Sequence, residues 1–305
     1  MQVTLLRAGY GTTVQDLGRF GWRGSGVSVS GALDPHALRV ANLLVGNDES
    51  AAALEVALGT VRLRFGDERL VAWCGGAFES ELPRGRPTLV RPGDELQLLA
   101  KGGRAWLAIS GGIDVPRVLG SRSTDLRSGL AGRALRDDDV LALGRGSTRA
   151  ISGFAPNEWS NTAGGKSLLR VVTGAEWARL TPEAQAAFLN QPFTVTQESD
   201  RMGARLKGPA LERLQDEELV SEPVTVGTIQ LPPGGDPILL LADCQTIGGY
   251  PKIAHVITVD LAGAAQLQAG DVVQFREVSL GEAHQLLLQR ERDRAWFRVG
   301  VSLLR

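Results

Sequence analysis

The stretch LLADCQTIGGYPKIA, residues 240–254, sets Asp243, Cys244, Gln245, Thr246, Gly248, Gly249, Tyr250 and Lys252 at one junction between two apolar runs. Packing does not require an acid, an amide, a hydroxyl, a phenol and an amine at a strand end. Chemistry can use all of them. Asp243 can accept or orient a proton, Gln245 can read an amide, and Lys252 can draw an anion. Gly248 and Gly249 allow unusual backbone angles or close approach to a ligand. The plain alternative is a hairpin closed by a Gly-Gly turn. Loops carried by rigid strands are where binding groups concentrate.

Three other places carry polar groups of the same kind. SDRMG, residues 199–203, puts Arg201 beside Asp200. A guanidinium fork can hold a carboxylate or phosphate through two hydrogen bonds, or it can pair locally with the adjacent acid. SEPV, residues 221–224, fixes Glu222 in front of Pro223, and a residue before proline is held extended. The glycine-rich segment Gly9–Pro35 contains Gln15, Asp16 and Arg19. Its length exceeds that of a simple connection, and its apolar residues Val14, Leu17, Phe20, Trp22 and Val27 favour a structured binding loop over disorder. Taken together, these groups describe a polar pocket for a small acid, amide or urea-like compound.

Several common sites are excluded. GGKS at 164–167 resembles the end of a phosphate-binding loop, but Ser160 stands where its first glycine belongs and a strand pattern follows. No GxGxxG links a strand to a helix, and no GxSxG elbow is present. His36, His255 and His284 are widely separated, and Cys74 and Cys244 are too few for a structural zinc site or a disulfide framework, so no metal is expected. Cys244 lacks a neighbouring histidine and reads as an inert buried thiol.

The 305 residues suggest two domains, and 43% hydrophobic with 22% charged residues is globular composition. A net charge of −1 with scattered Lys and Arg offers no stripe for a nucleic-acid backbone. No apolar run is long enough to cross a bilayer, and the N-terminus has no secretory signal pattern, so neither nucleic acid nor membrane is expected as a partner and a cytoplasmic location is.

The elements that must position these groups are mostly strands. Asp34-Pro35 opens a helix that stops at Gly46, with Leu38, Ala41, Leu44 and Val45 on one face and His36 in its first turn, read as a surface residue. From Ala53 to Ser110, short β runs are separated by turns, the pattern of an antiparallel barrel or sandwich. Residues 151–166 read as a linker between a lobe at 1–150 and a second at 167–305. Thr181-Pro182 starts a short helix, and Ser279 with Glu282 forms a capping box before a closing helix. The halves echo each other: VALGTVRL (56–63) matches VTVGTIQL (224–231), and PGDELQL (92–98) matches AGDVVQF (269–275). The order of these landmarks suggests a duplicated β-rich domain, with a cleft where the copies meet.

TTVQDLGR (12–19), SGALDP (30–35), ANLLVGN (41–47), SDRMG, SEPVTVGTIQLPP (221–233) and ADCQTIGGYPKIA (242–254) resemble the allophanate hydrolase subunit 2 family over almost the whole chain. This family is also described as the A–B part of a biotin-dependent carboxyltransferase domain, as the C subunit of 5-oxoprolinase, and as a kinase-inhibitor antagonist. The resemblance implies two cyclophilin-like β-barrel lobes in a mainly β fold with a few helices. It implies a partner of the allophanate hydrolase subunit 1 type or like the B subunit of 5-oxoprolinase, with the A subunit of 5-oxoprolinase as a third component. The expected reaction is ATP-dependent opening of 5-oxoproline to glutamate, with ATP bound on a partner or at a shared site. The alternatives are carboxyl transfer from carboxybiotin to urea, which would bring in biotin, and a non-catalytic regulatory role. A chain with no attached biotin-carrier section favours the first. The expected catalytic groups are Asp243, Gln245 and Lys252. Arg201, Thr246, Gly248, Gly249, Tyr250, Glu222, Gln15, Asp16 and Arg19 are expected on the substrate. Ile247 and Cys244 depart from the family pattern, which usually has a second hydroxyl and a larger polar residue there.

Overall fold

Asp34 begins the first helix as its sequence dictates: Oδ1 accepts from the backbone N–H groups of His36 and Ala37, both at 2.9 Å, and Gly46 ends the helix in the left-handed region. In the computed structural model, residues 1–148, 153–160, 166–215 and 219–304 are described. By contact density the chain forms two compact units. One comprises Met1–Phe20, Ser30–Ala163 and Arg292–Arg305; the other comprises Gly21–Val29 and Gly164–Glu291. The change of unit falls at Ala163/Gly164, and positions 151, 152 and 161–165 of the expected linker lie outside the described residues. The segments 21–29 and 292–305 each belong to the unit that is remote from them in sequence.

The first unit contains β1 (Gln2–Tyr10), β2 (Thr13–Gln15), α1 (Pro35–Val45), β3 (Ala53–Val56), β4 (Leu58–Phe65), β5 (Arg69–Glu79), β6 (Thr88–Val90), β7 (Glu95–Ile109), β8 (Val140–Ala142) and the single turn α2 (Asn157–Ser160). Its sheet runs β2-β3-β7-β4-β1-β8, with β5 pairing both β6 and β7. Long β7 is the hub. Val56 and Gly75 both pair with Ala105, so that stretch is hydrogen-bonded on either side. Val3, Leu5, Leu54, Leu63, Phe65, Leu98 and Leu107 form the core, each no more than 1% exposed. The α1 helix is buried beyond the expected single face, since Val40, Asn42 and Leu43 are buried too. His36 is not an open surface residue: its ring packs edge-on against Trp159 at 5.1 Å.

The second unit contains β9 (Lys166–Thr173), α3 (Pro182–Asn190), β10 (Phe193–Val195), β11 (Gly203–Lys207), β12 (Glu222–Pro223), β13 (Thr228–Gln230), β14 (Ile238–Leu240), β15 (Ile247–Gly248), β16 (Lys252–Val256), α4 (Leu261–Ala264) and β17 (Val272–Glu277). The α5 helix (Leu280–Leu303) begins in this unit, with Ser279 Oγ accepting from Glu282 N at its start. Seven strands close a barrel in the order β10-β11-β14-β13-β16-β9-β17, completed by the parallel pair β9–β17. Phe188 of α3 stacks on Phe275 of β17 at 4.5 Å, and Phe193 leans on both; all three are buried. Aromatic pairs of this kind add about 0.5–1.5 kcal/mol beyond their buried area.

The fold is thus mainly β with a few helices, as the alternation of the sequence predicts. The echoed motifs also fold alike. In PGDELQL, Arg91 N donates to Asp94 Oδ2 at 2.8 Å across left-handed Gly93. In AGDVVQF, Gln268 N donates to Asp271 Oδ2 at 2.8 Å across left-handed Gly270. Gly59 and Gly227, the glycines of the other echo, are both left-handed.

Candidate functional site

Strand β13 lies between β14 and β16, pairing Ile229 with Leu239 on one side and with Ala254 on the other. The stretch from Leu241 to Pro251 is therefore a crossover past β13, and the simple hairpin reading does not hold. Midway, Ile247 and Gly248 pair with Pro223 and Glu222 as a two-stranded ribbon. The extended Glu-Pro dipeptide thus docks on the loop that carries Asp243, Gln245 and Thr246. Gly248 and Gly249 are not among the left-handed glycines. Close approach is what they provide: a methyl at 248 would lie 2.5 Å from Gln230 Nε2, and one at 249 would lie 3.1 Å from Leu219 O.

Asp243 and Arg201 face each other. Arg201 Nε donates to Asp243 Oδ2 at 2.8 Å and Nη2 to Oδ1 at 3.2 Å, with the two side chains 10% and 4% exposed. Arg201 is therefore not tied to its neighbour Asp200. Instead Asp200 Oδ1 accepts from Met202 N and Gly203 N and shapes the turn into β11. Arg23, in the glycine-rich segment that joins this unit, donates through Nη2 to the carbonyls of Val224 and Thr246. It also lies against Cys244. Burial pushes the Cys244 thiol up from its ordinary value, with Arg23 pulling the other way. A thiol in that state is a poor nucleophile, in keeping with the inert reading.

Lys252 opens β16 and is buried. Its Nζ lies 3.0 Å from Glu222 Oε2 and 3.7 Å from Glu176 Oε2, while its backbone N–H donates to Glu176 Oε2 at 2.9 Å. Two carboxylates thus surround this cation. His255, half-buried three residues on, lies 3.3 Å through Nδ1 from Thr228 Oγ1. Desolvation holds its pKa below the ordinary histidine value, with Glu176 pulling it up and Lys252 down.

Beside this charged cluster is a cavity of about 260 Å³, with Asp200, Arg205, Gln230, Leu240, Gln245 and Tyr250 in its wall. Gln245 Nε2 donates to Gln230 Oε1 at 3.2 Å. Gln230 itself is 1% exposed, and its Nε2 has no hydrogen-bond partner among the described residues. Tyr250 is half exposed at the rim. The volume suits a small metabolite, below the usual range for drug-sized ligands.

Gln15, Asp16 and Arg19 belong to the first unit. Asp16 accepts from the hydroxyls of Ser121 and Ser123, both at 2.6 Å, and from Arg122 N. Gln15 Nε2 donates to Thr124 O, and Arg19 Nη2 to Ser123 O. They organise residues 121–124 from within that unit. A larger and mostly apolar cavity of about 510 Å³ lies there too, walled by Val14, Val118, Leu135 and Leu141 under the Arg133–Asp139 ion pair. The polar chemistry is in the smaller cavity.

Of the expected set, the second unit therefore brings together Asp243 with Arg201, Lys252 with Glu222, and Gln245 with Tyr250, Thr246, Gly248 and Gly249. Sequence reasoning missed Arg205, Gln230, Glu176 and Arg23. Gln230 stands in the echoed VGTIQL motif, where a buried amide at a strand end is a usable signal. Glu176 and Arg205 carry none.

Residues 25–277 match the family described as "Carboxyltransferase domain, subdomain A and B". The chain is 41% identical over 291 residues to the 5-oxoprolinase C subunit of Escherichia coli (strain K12), covering 92% of each. To the 5-oxoprolinase C subunit of Haemophilus influenzae it is 38% identical, again covering 92% of each. The crystal structure of the Kluyveromyces lactis urea carboxylase superposes with a TM-score of 0.87 at 30% identity. That match covers 95% of this chain and 28% of the other.

Proposed function

The chain belongs to the carboxyltransferase A and B subdomain family, and we propose that within it this protein works as the C subunit of a 5-oxoprolinase. The observation that carries the reading is end-to-end similarity to two proteins of that name, covering 92% of their length as well as its own. In the urea carboxylase, by contrast, the counterpart is just over a quarter of the chain. The reaction opens the lactam C–N bond with one water while ATP is hydrolysed with another, giving glutamate, ADP and phosphate. The nucleotide is assigned to a partner subunit of the A or B type or to a site shared with one.

On this reading the second unit holds the lactam. The crossover loop presents Gln245, Thr246 and Tyr250. The Arg201–Asp243 pair fixes the loop's root, and Asp243 is the nearest candidate to orient a proton during ring opening. Lys252, bracketed by Glu222 and Glu176, supplies a charged wall in place of a free anchor. The purified chain, mixed with its A and B partners, 5-oxoproline and ATP, is expected to release glutamate, and omission of the chain is expected to abolish release. Full glutamate release without the chain would overturn the proposal. The superposition on urea carboxylase supports a second reading, carboxyl transfer to a urea-like acceptor. Co-purification of a biotin-bearing carrier would favour that one.

A further inference from the structure

We propose that Gln230 and Gln245 together form a reader for a cis amide, and that Arg205 is the anchor for the carboxylate attached to it. The inference rests on the 5-oxoprolinase reading and places its substrate atom by atom. A primary amide offers a carbonyl acceptor and two N–H donors. The bond from Gln245 Nε2 to Gln230 Oε1 at 3.2 Å locks the two amides head to tail. That leaves Gln230 Nε2 as a donor and Gln245 Oε1 as an acceptor, on two residues that both line the same cavity. Reversing both amides would still leave one donor and one acceptor. Gln230 Nε2 is buried and, among the described residues, without a partner, a state that folded proteins avoid unless something completes it. A lactam completes it. Its ring forces the amide cis, so its C=O and N–H point the same way and meet one donor and one acceptor side by side. Gly248 lets the crossover loop pack closely on this amide pair, since a methyl there would lie 2.5 Å from Gln230 Nε2.

The carboxylate needs a cation that is not already engaged. Arg201 is bound through two hydrogen bonds to Asp243, and Lys252 sits between Glu222 and Glu176. Arg205 of β11 lines the cavity, is exposed, and its guanidinium makes no ion pair among the described residues. Asp200, the acid in the same wall, turns Oδ1 to the backbone of Met202 and Gly203. 5-Oxoproline carries its carboxylate on the carbon next to the ring nitrogen, so reading the amide at one end of a small cavity leaves the carboxylate for a cation at its mouth.

The test uses the assembled complex, with steady-state kinetics on 5-oxoproline and competition by 2-pyrrolidinone, which has the cis amide but no carboxylate. Arg205→Ala is expected to raise KM for 5-oxoproline about tenfold or more, the usual scale for loss of a charge-assisted bond, with kcat changed far less. Inhibition by 2-pyrrolidinone should be unaffected in that variant. Gln230→Glu, which replaces the donor with an acceptor, should weaken both ligands; a thermal melt checks its folding. If Gln230→Glu does not fold, the selective effect at exposed Arg205 decides alone. If the native complex releases glutamate but Arg205→Ala leaves KM and the 2-pyrrolidinone comparison unchanged, the subsite is wrong and the 5-oxoprolinase reading survives. If the native complex releases no glutamate, both fall.

Discussion

Replacing Asp243 with Asn separates structural from chemical work at the crossover loop. The carboxylate is 4% exposed and bound to Arg201 through two hydrogen bonds, while Arg201 is 10% exposed. Breaking a buried pair by removing one partner costs about 3–5 kcal/mol, because the other charge is left uncompensated in a poor solvent. Asparagine retains one acceptor for the guanidinium, which puts Asp243→Asn near the lower end, about 3 kcal/mol. For a unit of this size each kcal/mol moves the midpoint by roughly 2–4 °C, so the second unit should melt about 6–12 °C lower. Calorimetry on Asp243→Asn, Arg201→Met and the double variant Arg201→Met/Asp243→Leu measures this directly. Removing both charges together should be much less damaging than the sum of the single changes, since no unpaired ion remains. Were Asp243→Asn to melt within a degree of the parent, the pair would carry no structural load and the reasoning would be refuted.

Other substitutions probe neighbouring features. Gly174→Ala would drive a methyl into the Lys252 carbonyl oxygen, forcing the start of β16 to move. A loss of about 2–3 kcal/mol is expected by chemical denaturation, together with lower activity. His255 has a folded-state pKa held below its ordinary value by burial, so its contribution is intact above about pH 6.5 and is lost as pH falls from there through the folded value. Melting temperature should therefore drop on acidification, and less steeply in His255→Gln; equal slopes would count against it. Both thiols are buried and shifted upward, Cys74 by desolvation and Asp34, Cys244 by desolvation. Iodoacetamide at pH 8 should label neither in the native protein and both in guanidinium, read by mass spectrometry.

What could be read from the chain follows the range of the interactions. Asp34, Thr181 and Ser279 each cap the helix that follows them, because a cap is made within three residues of its side chain. The β character and the twin Gly-Asp turns are equally local. The crossover around β13 was not legible, since a strand pattern does not name its partner and Ile229 pairs with residues well downstream. The expected alternative for Arg201 was its neighbour Asp200, yet it joins Asp243 across 42 positions. Distance along the chain hid that contact. Gln230 was visible as an amide at the end of the echoed VGTIQL motif, but the motif does not say that Gln245 meets it from the crossover loop. Arg205 looked like any outward residue on a hairpin, and only its place in the cavity wall distinguishes it.

The barrel's parallel seam has a consequence for how the protein is made. Strand β9 is the first strand of its unit to emerge from the ribosome, but its neighbours β16 and β17 are synthesised roughly 80 and 100 residues later. Until residue 256 is available both edges of β9, which carries Leu168, Leu169 and Val171, are unpaired, and the edge that takes β17 stays open until residue 277. Such edges invite mispairing between nascent chains. Expression stalled or truncated before β17 should therefore yield insoluble product, whereas the complete unit can close.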